Sequence, residues 1–164
     1  MNGRTNRSIA VVVTAAFALA GAAPAVAAEL AKLNSEILGL YGEMHVALAD
    51  DSATGVKTTA GKLSVKAASA SRFANDAVPY QELAQASGKV AAELELASLR
   101  EQFKGLSMAI AKLVESGALA GADIYYCPMA DGYWLQAAAD AGVKNPYYGK
   151  SMLKCGSKTD KVEG

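Results

Sequence analysis

Apolar residues recur at three- and four-residue spacings through four successive segments, the pattern of helices with one buried face. The first covers residues 29–49, with Leu30, Leu33, Ile37, Leu40, Tyr41, Met44 and Leu48 on one stripe. Asp50-Asp51-Ser52 ends it and can cap the next helix. The second covers 53–71. Its stripe of Ala53, Val56, Ala60, Leu63, Ala67 and Ala70 is thin and lets neighbouring backbones approach closely. Gly55 and Gly61 each weaken this helix by about 1 kcal/mol relative to alanine. After a break at 75–79, Pro79 opens a shorter helix over 80–92, since proline is tolerated in a first turn. The fourth, 94–116, carries the clearest seam: Leu96, Leu99, Phe103, Leu106, Ile110 and Leu113. Gly117 and Gly121 stop it. Short connections between such helices predict an all-α class, an up-and-down bundle of about four helices over 28–121.

Beyond the bundle the pattern changes. Residues 122–157 read as a small irregular module packed on the helices, and 158–164 as a solvated, flexible tail. Both cysteines, the single tryptophan and five of the seven tyrosines fall in the module. The upstream helices are alanine-rich, with one histidine, so they read as a platform for it.

The N-terminus adds a compartment. Arg4 and Arg7 precede an uncharged run over 9–28, and Ala25-Val26-Ala27 supplies small residues at a cleavage position. This predicts a secretory signal peptide over 1–27 and an exported mature chain. The run is too alanine- and glycine-rich for a permanent span, so no stable membrane anchor is expected after cleavage. The whole chain balances 16 basic against 16 acidic side chains. Removing the two leader arginines leaves a slight acidic excess, which is no footprint for nucleic acid.

In the module, residues 123–129 read as extended: Ile124, Tyr125 and Tyr126 favour strands, and Pro128 pushes Cys127 out of the helical region. In a strand, Cys127 and Met129 would share one face. Asn145-Pro146 initiates a turn, and a helical turn continuing to Cys155 would put Met152 and Cys155 on one face. Four sulfurs could thus converge into a site for Cu(I) or Ag(I), which soft ligands favour. Against this stands a plain Cys127–Cys155 disulfide, compatible with an exported chain and an even cysteine count. Closing that loop is worth roughly 3–4 kcal/mol in the chain-entropy account. The two states exclude each other in any one molecule.

Several motifs resemble a known family. They are Tyr126-Cys127-Pro128-Met129, Trp134-Leu135-Gln136, Asn145-Pro146-Tyr147-Tyr148-Gly149 and Met152-Leu153-x-Cys155-Gly156. Upstream, Tyr41, Ala47-Leu48-Ala49-Asp50-Asp51 and Leu99-Arg100-x-x-Phe103-x-x-Leu106-Ser107 extend the match. Together they resemble a small exported domain of unknown function. That domain occurs alone or fused to the C-terminus of periplasmic adaptor (membrane-fusion) subunits of copper/silver and heavy-metal efflux pumps. The resemblance implies a helical bundle bearing a Cys-Met module, a periplasmic location and a link to envelope metal handling, with an efflux or envelope protein as partner. The chain has no adaptor hairpin or barrel segments, so it is not expected to be a whole pump subunit.

Other residues have two readings each. His45, at the edge of its stripe, is a boundary residue or a further metal ligand. Met108 lies off its seam, facing either the module, as a further possible metal ligand, or solvent. Tyr133, Trp134, Tyr147 and Tyr148 form either a recognition patch for a partner or the module's own small core. Catalysis finds no support: no histidine is arranged to activate either cysteine, and neither a phosphate loop nor a haem-attachment motif is present.

Overall fold

The computed structural model describes residues 22–140 and 142–163. Most of the predicted export signal lies outside these residues; its last part, from Ala22, forms the opening turns of the first helix. Four helices follow in order: α1 (Ala22–Ala49), α2 (Val56–Ala70), α3 (Val78–Ala92) and α4 (Leu96–Glu115). Three strands and a 3-10 turn complete the chain: β1 (Ala122–Cys127), β2 (Gly132–Ala137), the turn Gly149–Ser151 and β3 (Ser157–Thr159). No described helix is long and apolar enough to cross a membrane.

The predicted stripes are the buried faces. Leu33, Ile37, Tyr41, Met44 and Leu48 of α1 meet Val56, Ala60, Leu63, Ala67 and Ala70 of α2 in one core. The α4 seam of Leu99, Phe103, Leu106, Ile110 and Leu113 joins the same core. Gly55, expected inside α2, instead caps it with a left-handed backbone (φ 79°), and the helix begins at Val56. Helices pack in chain order, α1 on α2, α2 on α3 and α3 on α4.

The module is a sheet rather than a single short strand in irregular chain. β1 lies between β2 and β3, and all pairings are antiparallel. β2 packs against both α4 and α1. Its residues Gly132 to Gln136 are all buried, so neither face shows the alternation that betrays a strand. The tail is mostly exposed but has anchors: Lys158 of β3 pairs with Asp123 at 2.9 Å, and the Glu163 N–H donates to the Tyr133 hydroxyl at 3.0 Å.

One side chain joins the three parts. The Tyr41 ring stacks on Phe103 of α4 with centroids 5.0 Å apart. Its hydroxyl accepts the Leu135 N–H of β2 at 3.1 Å and lies 2.7 Å from the Ser107 hydroxyl of α4. Full burial pushes the phenol well above its usual pKa, so it stays a neutral donor–acceptor. Tyr41→Phe keeps the ring but orphans the Leu135 N–H. It should cost about 1–3 kcal/mol, read from urea unfolding; an unchanged midpoint would mean that this contact contributes nothing to stability.

Candidate functional site

The hairpin between β1 and β2 starts the site. Cys127 is the last residue of β1, paired with Gly132, and a four-residue turn separates them. Asp131 closes the turn at φ 46°, a conformation that aspartate tolerates better than most. Asp131-Gly132 between two aromatic runs is a hairpin signal that the sequence did carry. From the other side, Cys155 ends the connection from the 3-10 turn and leads through Gly156 into β3. Gly156 has φ 117°, and a Cβ there would run into the Trp134 ring and the Tyr126 carbonyl. Pairing of Tyr126 with Ser157 then sets Cys155 beside Cys127.

The two sulfurs are 2.9 Å apart and both are free thiols. Cys127 is fully buried, while Cys155 is partly exposed. Burial pushes the Cys127 thiol up. Hydrogen bonding from Cys155, from the N–H groups of Ala130 and Met129, and from the Asn145 side chain outweighs it, so the net direction is down. Cys155 moves the other way, chiefly because its hydrogen bond to Cys127 keeps its proton. The pair therefore loses its first proton readily and its second reluctantly.

Asn145 is the hub beside them and is completely buried. Its Nδ2 donates to the Cys155 carbonyl at 2.9 Å. Its Oδ1 accepts the N–H groups of Tyr147 at 2.8 Å and Tyr148 at 3.3 Å. Gln136 holds the approach to it, accepting the Lys144 N–H at 2.8 Å and donating to the Gly142 carbonyl at 2.8 Å. Arg100 of α4 clamps the far end: it donates to the carbonyls of Pro146 at 2.9 Å and Leu48 at 2.7 Å, and to Asp51 at 2.6 Å. Asp51 also accepts the Lys150 N–H at 3.1 Å. Gly149 sits so close to Asp51 and Arg100 that any side chain there would collide with both. Arg100 and Gln136 stand in the sequence only as motif residues, while Asp51 reads as a helix cap and Asn145 as a turn initiator, not as the polar hubs they form.

The predicted ligands do not share one fate. Cys127 and Cys155 meet. Met129 lies past the end of β1, in the turn, where strand alternation no longer applies; its side chain is 62% exposed. It lines an open groove of about 310 Å³ with Ala97, Arg100 and Tyr148. The helical turn stops at Ser151, so Met152 (φ −145°) is not on a helix with Cys155. A single turn hydrogen bond, Cys155 N–H to the Met152 carbonyl at 3.0 Å, links them, and Met152 is partly exposed. Met108 faces the groove between α3 and α4, beside Glu82, Gln85 and Lys112. Among the described residues, no group of three or more His, Cys, Asp or Glu side chains is placed to hold a metal ion.

Of the two readings of the aromatic residues, the module's own core describes three of the four. Trp134, Tyr133 and Tyr147 are buried. Trp134 meets Tyr147 edge-on at 6.1 Å and stacks on Tyr125 at 5.5 Å, so these rings form the module's interior. The Tyr147 hydroxyl donates to the Tyr133 carbonyl. Tyr148 is the partly exposed one of the four, its hydroxyl donating to the Met129 carbonyl at 2.9 Å.

His45 is neither solvent-facing nor placed with the thiols. It is 2% exposed, and its Nε2 donates to the Lys144 carbonyl at 2.7 Å, which fixes the Nε2–H tautomer. It borders a cavity of about 170 Å³ between α1 and β2, with Asp140 at its margin. No protein-family model matches the chain, and comparison with curated proteins and with solved structures finds no match either.

Two measurements check these environments. Thiolate absorbance of the reduced protein should rise in two steps, one below and one above the ordinary thiol value of 9.0. Asn145→Asp keeps the Oδ1 contacts but loses the amide donor, and should move the first step upward; coincident, unshifted steps contradict the assigned hydrogen bonds. For His45, burial depresses the folded pKa below 6.5. Below that pH the unfolded chain binds a proton that the folded chain refuses, so stability falls as pH drops from 7 to 5. His45→Gln should flatten that dependence in urea unfolding, and an equal slope in both proteins refutes it.

Proposed function

We propose that this chain is an exported protein of soft-metal handling, and that its Cys127–Cys155 dithiol is the site that takes a Cu(I) or Ag(I) ion as cargo. The observation that carries this reading is the meeting of two free thiols, 28 residues apart in sequence, at 2.9 Å, one at the end of β1 and one in the connection before β3. Hydrogen-bond donors of the Met129–Ala130 turn and Asn145 face the buried sulfur. Such donors stabilise a thiolate, and a thiolate is what a soft monovalent cation requires. A purely structural disulfide has no use for them.

The donor set fits a two-coordinate ion, with limits. Two thiolates sharing one ion sit roughly 4–5 Å apart, twice a typical metal–sulfur bond. The pair must therefore open, and Cys155 is the half that can move, since it sits in a connection and is partly exposed. Met129 and Met152 remain candidate outer ligands that would need side-chain rearrangement to join. The predicted signal peptide and the resemblance to a periplasmic domain of copper/silver efflux adaptors support an envelope location and an efflux or envelope partner.

A second reading is supported by the same separation. At 2.9 Å the thiols need only a small approach to bond. The module would then be a disulfide-stapled structural domain, docking on its partner without metal. Titrating the fully reduced protein with Cu(I) against a chromophoric chelator decides between them. One ion per chain is expected, with affinity falling on the order of 100-fold or more for Cys127→Ser and for Cys155→Ser. Reduced protein that takes no ion leaves the staple reading in place. Affinity unchanged in Met129→Leu and Met152→Leu would restrict the ligands to the two cysteines.

A further inference from the structure

The two thiols are unequal in a way that metal binding does not require. Cys127 ends the central strand β1 and has no exposed surface, enclosed by the turn at 128–131 and by Asn145. Cys155 lies in the connection before β3 and is partly open to solvent. An incoming reagent can therefore meet Cys155 but not Cys127. Once Cys155 carries a sulfur substituent, Cys127 is the nearest nucleophile, already at 2.9 Å and held by the sheet.

We propose that this pair is a dithiol–disulfide exchange centre for small disulfides, in which Cys155 is the attacking thiol and buried Cys127 resolves the intermediate. In the first step the Cys155 thiol passes the proton of its hydrogen bond to the Cys127 thiolate beside it, and its sulfur attacks one sulfur of the small disulfide. That S–S bond breaks, one small thiolate leaves and is protonated, and Cys155 holds the other half as a mixed disulfide. In the second step Cys127 gives up its proton, and its sulfur attacks Cys155 Sγ. The protein S–S bond forms, and the second small thiol departs. Two protein thiols are oxidised by two electrons, and the small disulfide is reduced to two thiols. Run backwards, a small thiol opens the protein disulfide at Cys155, the sulfur it can reach.

Several features favour this division of labour. The resolving sulfur needs no long search, because the hairpin pairing holds Cys127, and Cys155 lies two residues before β3 with its sulfur already at 2.9 Å. Asn145 ties the Cys155 carbonyl to the turn that carries Tyr147 and Tyr148, so the attacked sulfur stays in register. Leaving-group departure is toward solvent, on the exposed side of Cys155. The exchange uses the same sulfurs as the proposed metal site but needs no metal, so either can fail alone.

The test uses the reduced full chain, free of metal under chelator, and a small aromatic disulfide whose released thiol is coloured. Wild type should release two equivalents and end as an internal disulfide carrying no adduct mass. Cys127→Ser should release one equivalent and keep a stable adduct on Cys155. Cys155→Ser should react on the order of 100-fold more slowly, because its remaining thiol is buried, and denaturant should restore the rate. Since Cys155→Ser could itself loosen the fold, wild type is also quenched in acid after substoichiometric reagent and mapped by peptide mass. An adduct on Cys155 supports the assignment. An adduct on Cys127, or a wild type that retains adduct at both sulfurs, overturns it.

Discussion

A buried edge strand poses a hydrogen-bonding demand that shapes this whole molecule. β2 pairs with β1 on one side only, and its other edge is driven into the helices. A backbone N–H sealed from water must find an acceptor, or its desolvation counts against folding. Tyr41 supplies that acceptor from α1, and the Ser107 hydroxyl of α4 shares a hydrogen bond with the same oxygen. The contact is thus a polar junction of three elements inside an apolar core. From it a run of rings continues outward: Tyr41 on Phe103, Phe103 against Tyr147, Tyr147 against Trp134, Trp134 on Tyr125. Sheet and bundle share this aromatic seam, which is why the C-terminal module cannot be regarded as a loose appendage.

A second polar junction explains why distant motif residues belong together. Arg100 binds the end of α1 through the Leu48 carbonyl and Asp51, and the module through the Pro146 carbonyl. The Asp51 carboxyl is held below its usual range mainly by that guanidinium, so the partners are charged at neutral pH. A lysine could not reproduce this fork, since a single ammonium cannot address three oxygens in one plane. Gly149 is required because the pair occupies the space a side chain would need. Together with Asn145, these contacts fix the path from Pro146 to Cys155, and hence the position of the accessible sulfur.

The chemistry of the thiols follows from topology. The end of a hairpin strand and the connection that leads into its neighbour bring two cysteines together, one inside and one near the surface. The inner sulfur receives N–H donors from the turn that buries it; the outer one receives solvent. Soft-ion capture and disulfide exchange are both consistent with such a pair, and they compete for the same electron pairs on sulfur.

The helices were legible because a 3.6-residue periodicity needs only the chain's own alternation of apolar and polar positions. All four stand close to where the stripes put them, and Phe103, Leu106 and Ile110 lie in the core as the seam requires. β2 was not legible as a strand, because burial on both faces erases the period of two, and β3 is too short to show one. The segment carrying the chemistry was visible from its cysteines and aromatics. Which sulfurs meet was not, since extrapolating strand and helix geometry through Met129 and Met152 runs past the points where those elements end. His45 looked like a boundary residue because the surface that covers it, β2 with the loop at Lys144, is supplied from some 90 residues away in sequence. Local pattern thus determined the four helices and the extended run of β1. Burial, tautomer, thiol asymmetry and the closeness of Cys127 to Cys155 were decided by tertiary structure, because each depends on atoms that only folding brings within a few ångströms.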